Sequence, residues 1–160
     1  MDKDILIGLI SEIEKELAAL EQLKRELNSI QAEDSIIFKR SKGSILHDFY
    51  NCCERIFKRL SIEINGGYED TDKWHKALLF RMTIPIKDTR PPVISEALAA
   101  ELDEYLSFRH VFRNIYGFEL KGERINYLAN KFERVVDEFQ REIRRFLEFI
   151  NAETRKSKRR

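Results

Sequence analysis

The 160-residue sequence has few residues that interrupt helices or cross-link chains. Its three prolines and six glycines leave room for long helices. Its two cysteines are adjacent, at Cys52 and Cys53. Neighbouring side chains on a helix point about 100° apart, which makes them poor disulfide partners. We therefore expect two buried, reduced thiols, as is typical of a cytosolic protein.

The sequence also lacks a long apolar run and a recognisable leader. No window approaches the apolar length of a membrane span. The first residues, MDKDILIGLISEIEKEL, are acidic and amphipathic and show no signal-peptide cleavage site. These absences predict a cytoplasmic protein with no membrane partner.

The sequence shows no recognisable metal or cofactor site. Its three histidines, His47, His75 and His110, match no common zinc-ligand spacing, even with the paired cysteines. We interpret His75, beside Trp74, as the edge of a core. Glycine-rich phosphate loops, nucleophile elbows and paired-carboxylate motifs are also missing. We expect neither a metal nor a cofactor.

Charge is nearly balanced, with 29 basic and 28 acidic residues. Five of the last six residues are Lys or Arg, and removing their charges from the net charge of +1 leaves −4 for the rest. Any affinity for nucleic acid must then come from local patches. The basic end either attracts RNA non-specifically or only keeps the chain in solution; the second interpretation is favoured.

Apolar residues recur at steps of three and four, which predicts helices. The expected helices cover about Lys3–Ala32, Ile45–Ile64, Asp72–Met82, a stretch from the N-cap Ser95 to Gly117, and Gly122–Asn151. A kink or a second helix start is expected at Lys42–Ser44. We find no strand alternation, so the sequence predicts an all-α, antiparallel bundle of about five helices. It is expected to form one domain at residues 1–152, followed by a disordered basic tail at 153–160.

The segment YLSFRHVFRNIYGFEL, at residues 105–120, concentrates the polar chemistry of the chain. Its candidate site residues are Arg109, His110, Arg113, Asn114 and Tyr116. On a helix that ends at Gly117, the two arginines and the tyrosine share one stripe, and the histidine and asparagine lie beside it.

This segment resembles the signature helix of the HEPN superfamily, specifically that of HepT-like ribonuclease toxins. The family pattern is Arg, four residues, His, one residue, Tyr. Arg109 and Tyr116 match it, and Asn114 occupies the position of the family histidine. Three segments look like those of HepT-like proteins in their order and spacing: HDFYNCCERIFKRL, RPPVIS and FRHVFRNIYGFEL. The resemblance therefore covers most of the chain.

The resemblance implies a HEPN-type bundle that forms a homodimer through the motif helix and acts as the toxin of a toxin–antitoxin pair. It implies a metal-independent endoribonuclease that cleaves RNA, such as tRNA or mRNA, at a site composed of two protomers. The implied partner is a minimal nucleotidyltransferase antitoxin that adenylylates Tyr116. The added anion would block the phosphate subsite.

Each motif side chain has a plausible role in RNA cleavage. Arg109 and Arg113 can fork onto phosphate oxygens. His110 titrates near neutral pH and can act as acid or base, whereas Asn114 can position the substrate but cannot usefully exchange a proton.

Two other interpretations stay open. In one, Asn114 marks the loss of catalysis, and the bundle is a scaffold that binds a nucleotidyltransferase or RNA without cleavage. In the other, the chain is a plain structural bundle whose motif arginines stabilise the helix dipole and form ion pairs.

The second long helix also offers polar residues. The resemblance suggests that the helix carrying His47, Asp48 and Tyr50 lines the same groove as the motif. An opening helical turn with solvated polar side chains is the alternative, and it is slightly favoured.

Overall fold

The computed structural model describes residues 1–30, 35–68 and 73–157, and most of them are helical. The helices are α1 (Lys3–Ser29), α2 (Ile36–Asn65), α3 (Trp74–Arg81), α4 (Glu96–Asn114) and α5 (Gly122–Ser157), with a 3₁₀ turn at Gly117–Glu119. These described ranges contain no β-strand; an isolated bridge pairs Ile86 with Arg90 in the connection before α4. The predicted all-α bundle of about five helices is confirmed.

Helix α2 lies at the centre of the bundle and contacts each of the other four helices. Its residues Arg55 and Arg59 pair with Glu16 and Glu12 of α1, so the two helices run antiparallel. An edge-to-face aromatic cluster fills the space between α2, α4 and α5. Its members are Phe49, Phe57, Tyr105, Phe132 and Phe139.

Helix α4, which carries the motif, is fixed at its start and at its middle. The Ser95 side chain accepts a hydrogen bond from the Leu98 amide, which confirms the predicted N-cap. The Ser95 amide donates to the buried carboxylate of Glu142 on α5. Further along, the Tyr105 hydroxyl donates to the Leu128 carbonyl at 2.8 Å. These two contacts show that α4 and α5 are antiparallel.

Helix α2 continues through residues 42–44, so the expected second helix start there is wrong. Gly43 is buried there, and the ring of Phe112 on α4 lies where a side chain would project. The glycine therefore provides close helix packing rather than a break. The helix ends at Gly66 in the left-handed conformation (φ 79°), close to the expected end at Ile64.

The remaining helix ends differ modestly from expectation. Helix α5 continues to Ser157, beyond the expected domain end at residue 152. That extension corrects the start of the predicted tail, of which residues 158–160 lie outside the described part. The expected end of α1 at Ala32 and the expected start of α3 at Asp72 also lie outside it.

Both cysteines are buried and free, which confirms the interpretation of reduced thiols. Burial raises the pKa of each thiol well above its usual range. None of the helices described is both long and apolar enough to cross a bilayer.

The close contact at Gly43 predicts a loss of stability on adding one methyl group. A Cβ there would lie 2.8 Å from the Phe112 ring, so Gly43→Ala must displace that ring and cost about 1–3 kcal/mol. Gly8→Ala on the exposed face of α1 meets nothing within 4 Å and should stabilise by about 0.5–1 kcal/mol. Urea unfolding of both variants checks this; equal stability would contradict it.

Candidate functional site

The motif segment is only partly helical. Helix α4 ends at Asn114, and Ile115 and Tyr116 have extended backbones (ψ 160° and 149°). Gly117 is not a left-handed helix cap, because the positive-φ glycines of the described chain are Gly66 and Gly67. The prediction that Tyr116 lies on one helical stripe with the two arginines is therefore wrong. Ile115 packs against the core and Leu120 is buried, and these two apolar contacts redirect the chain.

Arg109 points into the bundle and is only 4% exposed. Its Nη1 and Nη2 donate to the two carboxylate oxygens of Glu54, each at 3.1 Å. Nη1 also donates to Oδ1 of Asn51 at 3.0 Å, and the guanidinium lies over the ring of Tyr50. This is a bidentate ion pair between α4 and α2, removed from water. Arg109 is thus closed to solvent in this structure.

His75 extends the pair to α3. Its Nδ1 lies 2.7 Å from Oε2 of Glu54 and 2.9 Å from Nη2 of Arg109. A protonated Nδ1 donates to the carboxylate, and an unprotonated Nδ1 accepts from the arginine, so one proton decides which bond forms. The imidazole stacks on Trp74, over which Lys58 of α2 places its ammonium group. His75 therefore lies at the edge of the core, as predicted, and its polar contacts there are with charged side chains.

His110, Arg113 and Asn114 are exposed in the last residues of α4. The His110 ring and the Arg113 guanidinium form no hydrogen bond or ion pair with the described residues. The Asn114 amide donates to the His110 carbonyl at 2.6 Å, which leaves its oxygen free to accept a hydrogen bond. Three of the five predicted site residues therefore share one surface, with the exposed Val111 among them.

His47 of α2 lies close to this surface. Its ring centroid is 5.3 Å from that of Phe112, and its Nδ1 is 3.2 Å from the amide nitrogen of Asn51. Burial lowers the pKa of His47, and the charges of Arg109 and Arg113 lower it further, against an opposing effect of Asp48.

The solvated opening turn favoured for residues 47–50 is wrong. Helix α2 begins at Ile36, so these residues lie inside it, and Tyr50 is fully buried.

Sequence reasoning missed the acidic partner of Arg109. The missing signal was a polar line on α2 at spacings of four, three and four residues. Its members are His47, Asn51, Glu54 and Lys58. Glu54 interrupts an otherwise apolar face formed by Tyr50, Cys53 and Phe57, and an acid on such a face requires a buried cation.

Comparison with known proteins identifies the family. A family model described as HepT-like protein matches residues 41–150, which is more than half of the chain. The chain belongs to the HepT-like family. The match spans most of α2, all of α3 and α4, and most of α5, so it includes both the buried pair and the exposed motif residues. Searches of curated proteins and of solved structures found no match.

The fold of this HepT-like protein divides the motif into a buried part and an exposed part. The buried half, Arg109 with Glu54, fixes α4 on α2. The exposed half offers a cation at Arg113, an imidazole at His110 and a hydrogen-bond acceptor at Asn114. No group of three or more His, Cys, Asp or Glu side chains in residues 1–30, 35–68 and 73–157 is placed to hold a metal ion.

We expect the buried pair to show strong coupling in a double-mutant cycle. Arg109→Leu or Glu54→Leu alone leaves a charge without its partner and should cost about 3–5 kcal/mol. The double variant removes both charges and should be less destabilised than either single variant. Chemical denaturation measures this; additive losses would contradict it. The exposed pair Arg59 and Glu12 is the matched control, with an expected cost within about 1 kcal/mol.

His47 predicts a specific dependence of stability on pH. Burial holds the folded-state pKa of His47 below the ordinary histidine value of about 6.5, so the unfolded chain binds the proton more tightly. The free energy of unfolding should then fall as pH decreases below about 6.5 and level off below the folded pKa. His47→Gln should reduce this loss of unfolding free energy at low pH, whereas His110→Gln, at an exposed position, should not. Urea midpoints at about pH 7.5 and about pH 5.5 test this; parallel profiles for wild type and His47→Gln would contradict it.

Proposed function

We propose that this HepT-like protein is the ribonuclease toxin of a toxin–antitoxin pair, acting in the cytoplasm without a metal ion. The observation that carries the proposal is the exposed group of His110, Arg113 and Asn114 in a HepT-like chain. The imidazole and the guanidinium have no internal partners among the described residues, so both can meet a ligand.

The chemistry is transesterification of RNA. A base removes the 2′-hydroxyl proton, the 2′-oxygen bonds to phosphorus, and the bond to the 5′-oxygen breaks as an acid protonates that oxygen. Arg113 stabilises the charge that grows on the phosphate. The Asn114 oxygen accepts a hydrogen bond from a ribose hydroxyl and so orients the substrate.

The reaction requires two proton-transfer groups, and the exposed motif surface of one protomer provides one, His110. We therefore place the reaction at a homodimer in which two α4 helices face each other, each providing a His110. Val111, 47% exposed between the polar motif residues, is the apolar contact for that interface.

Arg109 has an indirect role in this proposal. Its guanidinium donates to Glu54 and Asn51 and is closed to solvent, so it does not contact RNA in this conformation. It acts as a positioning residue that sets which face of α4 is exposed.

Tyr116 is the proposed target of a minimal nucleotidyltransferase antitoxin. Its side chain is 70% exposed and lies two residues beyond Asn114, outside the helix, where an enzyme can reach the hydroxyl. An adenylyl group there would add negative charge beside the Arg113 surface and oppose phosphate binding.

The alternative is an inactive scaffold that binds the nucleotidyltransferase or RNA. A specific observation favours it: the amide at the family histidine position is bonded to its own helix at 2.6 Å and carries no titratable proton.

The decisive experiment is cleavage of total RNA and tRNA by the purified protein in EDTA. We expect cleavage that survives chelation and falls at least about 100-fold in His110→Ala, because general acid–base catalysis contributes 10²–10⁴-fold. Cleavage by Arg113→Gln should also fall, whereas Arg145→Gln, on the exposed face of α5, should retain full activity.

Two outcomes would reject the enzyme proposal. Equal cleavage by wild type and His110→Ala would point to a contaminant. No cleavage by the wild type, together with cleavage by Asn114→His, would establish the scaffold.

A further inference from the structure

Two aromatic rings stand exposed immediately after the motif helix. Tyr116 and Phe118 are 70% and 67% exposed. Their planes are nearly parallel, at 9°, with centroids 5.2 Å apart. Exposed apolar groups that cluster in this way commonly mark binding surfaces. The proposed tyrosine modification uses only the Tyr116 hydroxyl and leaves the pair of ring faces without an assigned role.

The backbone beneath the rings is held in place. The Glu119 amide donates to the Tyr116 carbonyl at 2.9 Å, and the Leu120 amide donates to the Gly117 carbonyl at 3.2 Å. In return, the Tyr116 amide donates to the Glu119 carboxylate. Leu120 is buried at the far end of the turn. The two rings are therefore presented by an ordered turn, which limits the entropy lost on binding.

A cation lies against Gly117, the residue that separates the two aromatic residues in the sequence. The guanidinium of Arg40, from the start of α2, rests against Gly117, with its Cζ 2.5 Å from where an added Cβ would be. Only glycine leaves room for this approach. Arg40 is exposed and forms no hydrogen bond or ion pair with the residues that the structure describes. The one acid in the turn, Glu119, is engaged by the Tyr116 amide.

Aromatic faces beside an unpaired guanidinium match the chemistry of a nucleotide. We infer that Tyr116, Phe118 and Arg40 form a subsite for one unpaired nucleotide of single-stranded RNA, whose base stacks on the aromatic pair and whose phosphate contacts Arg40. The inference rests on the proposed function in taking RNA as the ligand. A paired duplex keeps its bases stacked internally, so the subsite selects single strands and loops.

Binding of a short 2′-O-methyl oligoadenylate tests the subsite independently of catalysis, because the blocked 2′-oxygen cannot attack. Phe118→Ala should weaken binding at least about fivefold, since stacking on one aromatic contributes that much or more. Phe118→Leu should lose as much, because it keeps apolar volume without a π face, whereas Phe118→Trp should retain affinity. Phe80→Ala is the matched control, at a ring that is 64% exposed on α3.

Arg40→Gln should weaken binding and reduce its salt dependence, with Arg145→Gln as the matched control. An abasic oligomer of the same length should bind with an affinity that does not depend on Phe118.

Three results would overturn the inference. Phe118→Ala and Phe80→Ala could bind the oligoadenylate equally well, or Phe118→Ala could lose as much affinity for the abasic oligomer as for the oligoadenylate. The third is a change of oligomeric state in Phe118→Ala with RNA binding intact. Failure of the proposed ribonuclease is a separate result, because it appears as absent cleavage while Phe118-dependent binding persists.

Discussion

The ion pair between Glu54 and Arg109 is the constraint on which the arrangement of the motif depends. Both groups are almost fully buried, and their desolvation is offset only when both carboxylate oxygens are bonded at once. A shift of α4 by one helical turn, about 5.4 Å, would leave both charges buried without a partner. The pair therefore fixes the register of α4 on α2. Asn51 and His75 also contact the Arg109 guanidinium and fix its orientation.

The same constraint decides which motif residues can meet a ligand. With Arg109 turned inward, the neighbouring His110 and Asn114 face outward, whereas Arg113, on the same side of the helix as Arg109, is exposed one turn further on, at the end of α4. A signature arginine can thus be essential without touching a substrate, because its loss would misplace its neighbours. A measured loss of activity at Arg109 alone would not distinguish these roles, whereas the Arg113 guanidinium forms no hydrogen bond or ion pair within residues 1–30, 35–68 and 73–157 that would complicate the result.

Much of the fold could be predicted from the sequence because local residue patterns determine the helices and their ends. The apolar periodicity predicted the five helices and the end of α2 to within two residues, and Ser95 predicted the start of α4. Gly43 was misleading, because its effect depends on Phe112, a residue distant in the sequence. Tyr116 was misplaced because the packing of the residues flanking it, and not helix propensity, determines where α4 ends.

The candidate site was predictable as a segment but not as a surface. Residue types and the family pattern located Arg109, His110, Arg113 and Asn114, yet periodicity alone could not assign the buried face of a helix end that is rich in both arginine and phenylalanine. The partner that settles the question, Glu54, lies on another helix. Pairing between elements is a tertiary property, and a single sequence shows it only as an acid on an apolar face.

The two adjacent cysteines make the proposed pairing of protomers unusually accessible to measurement. Their thiols are enclosed by the core, and burial disfavours the thiolate that reacts with alkylating and oxidising agents. A new cysteine placed on the exposed face of α4 would therefore react with little background from the native thiols. Cross-linking chemistry and paired spin or fluorescent labels can then report distances between two copies of the chain without first removing any natural residue.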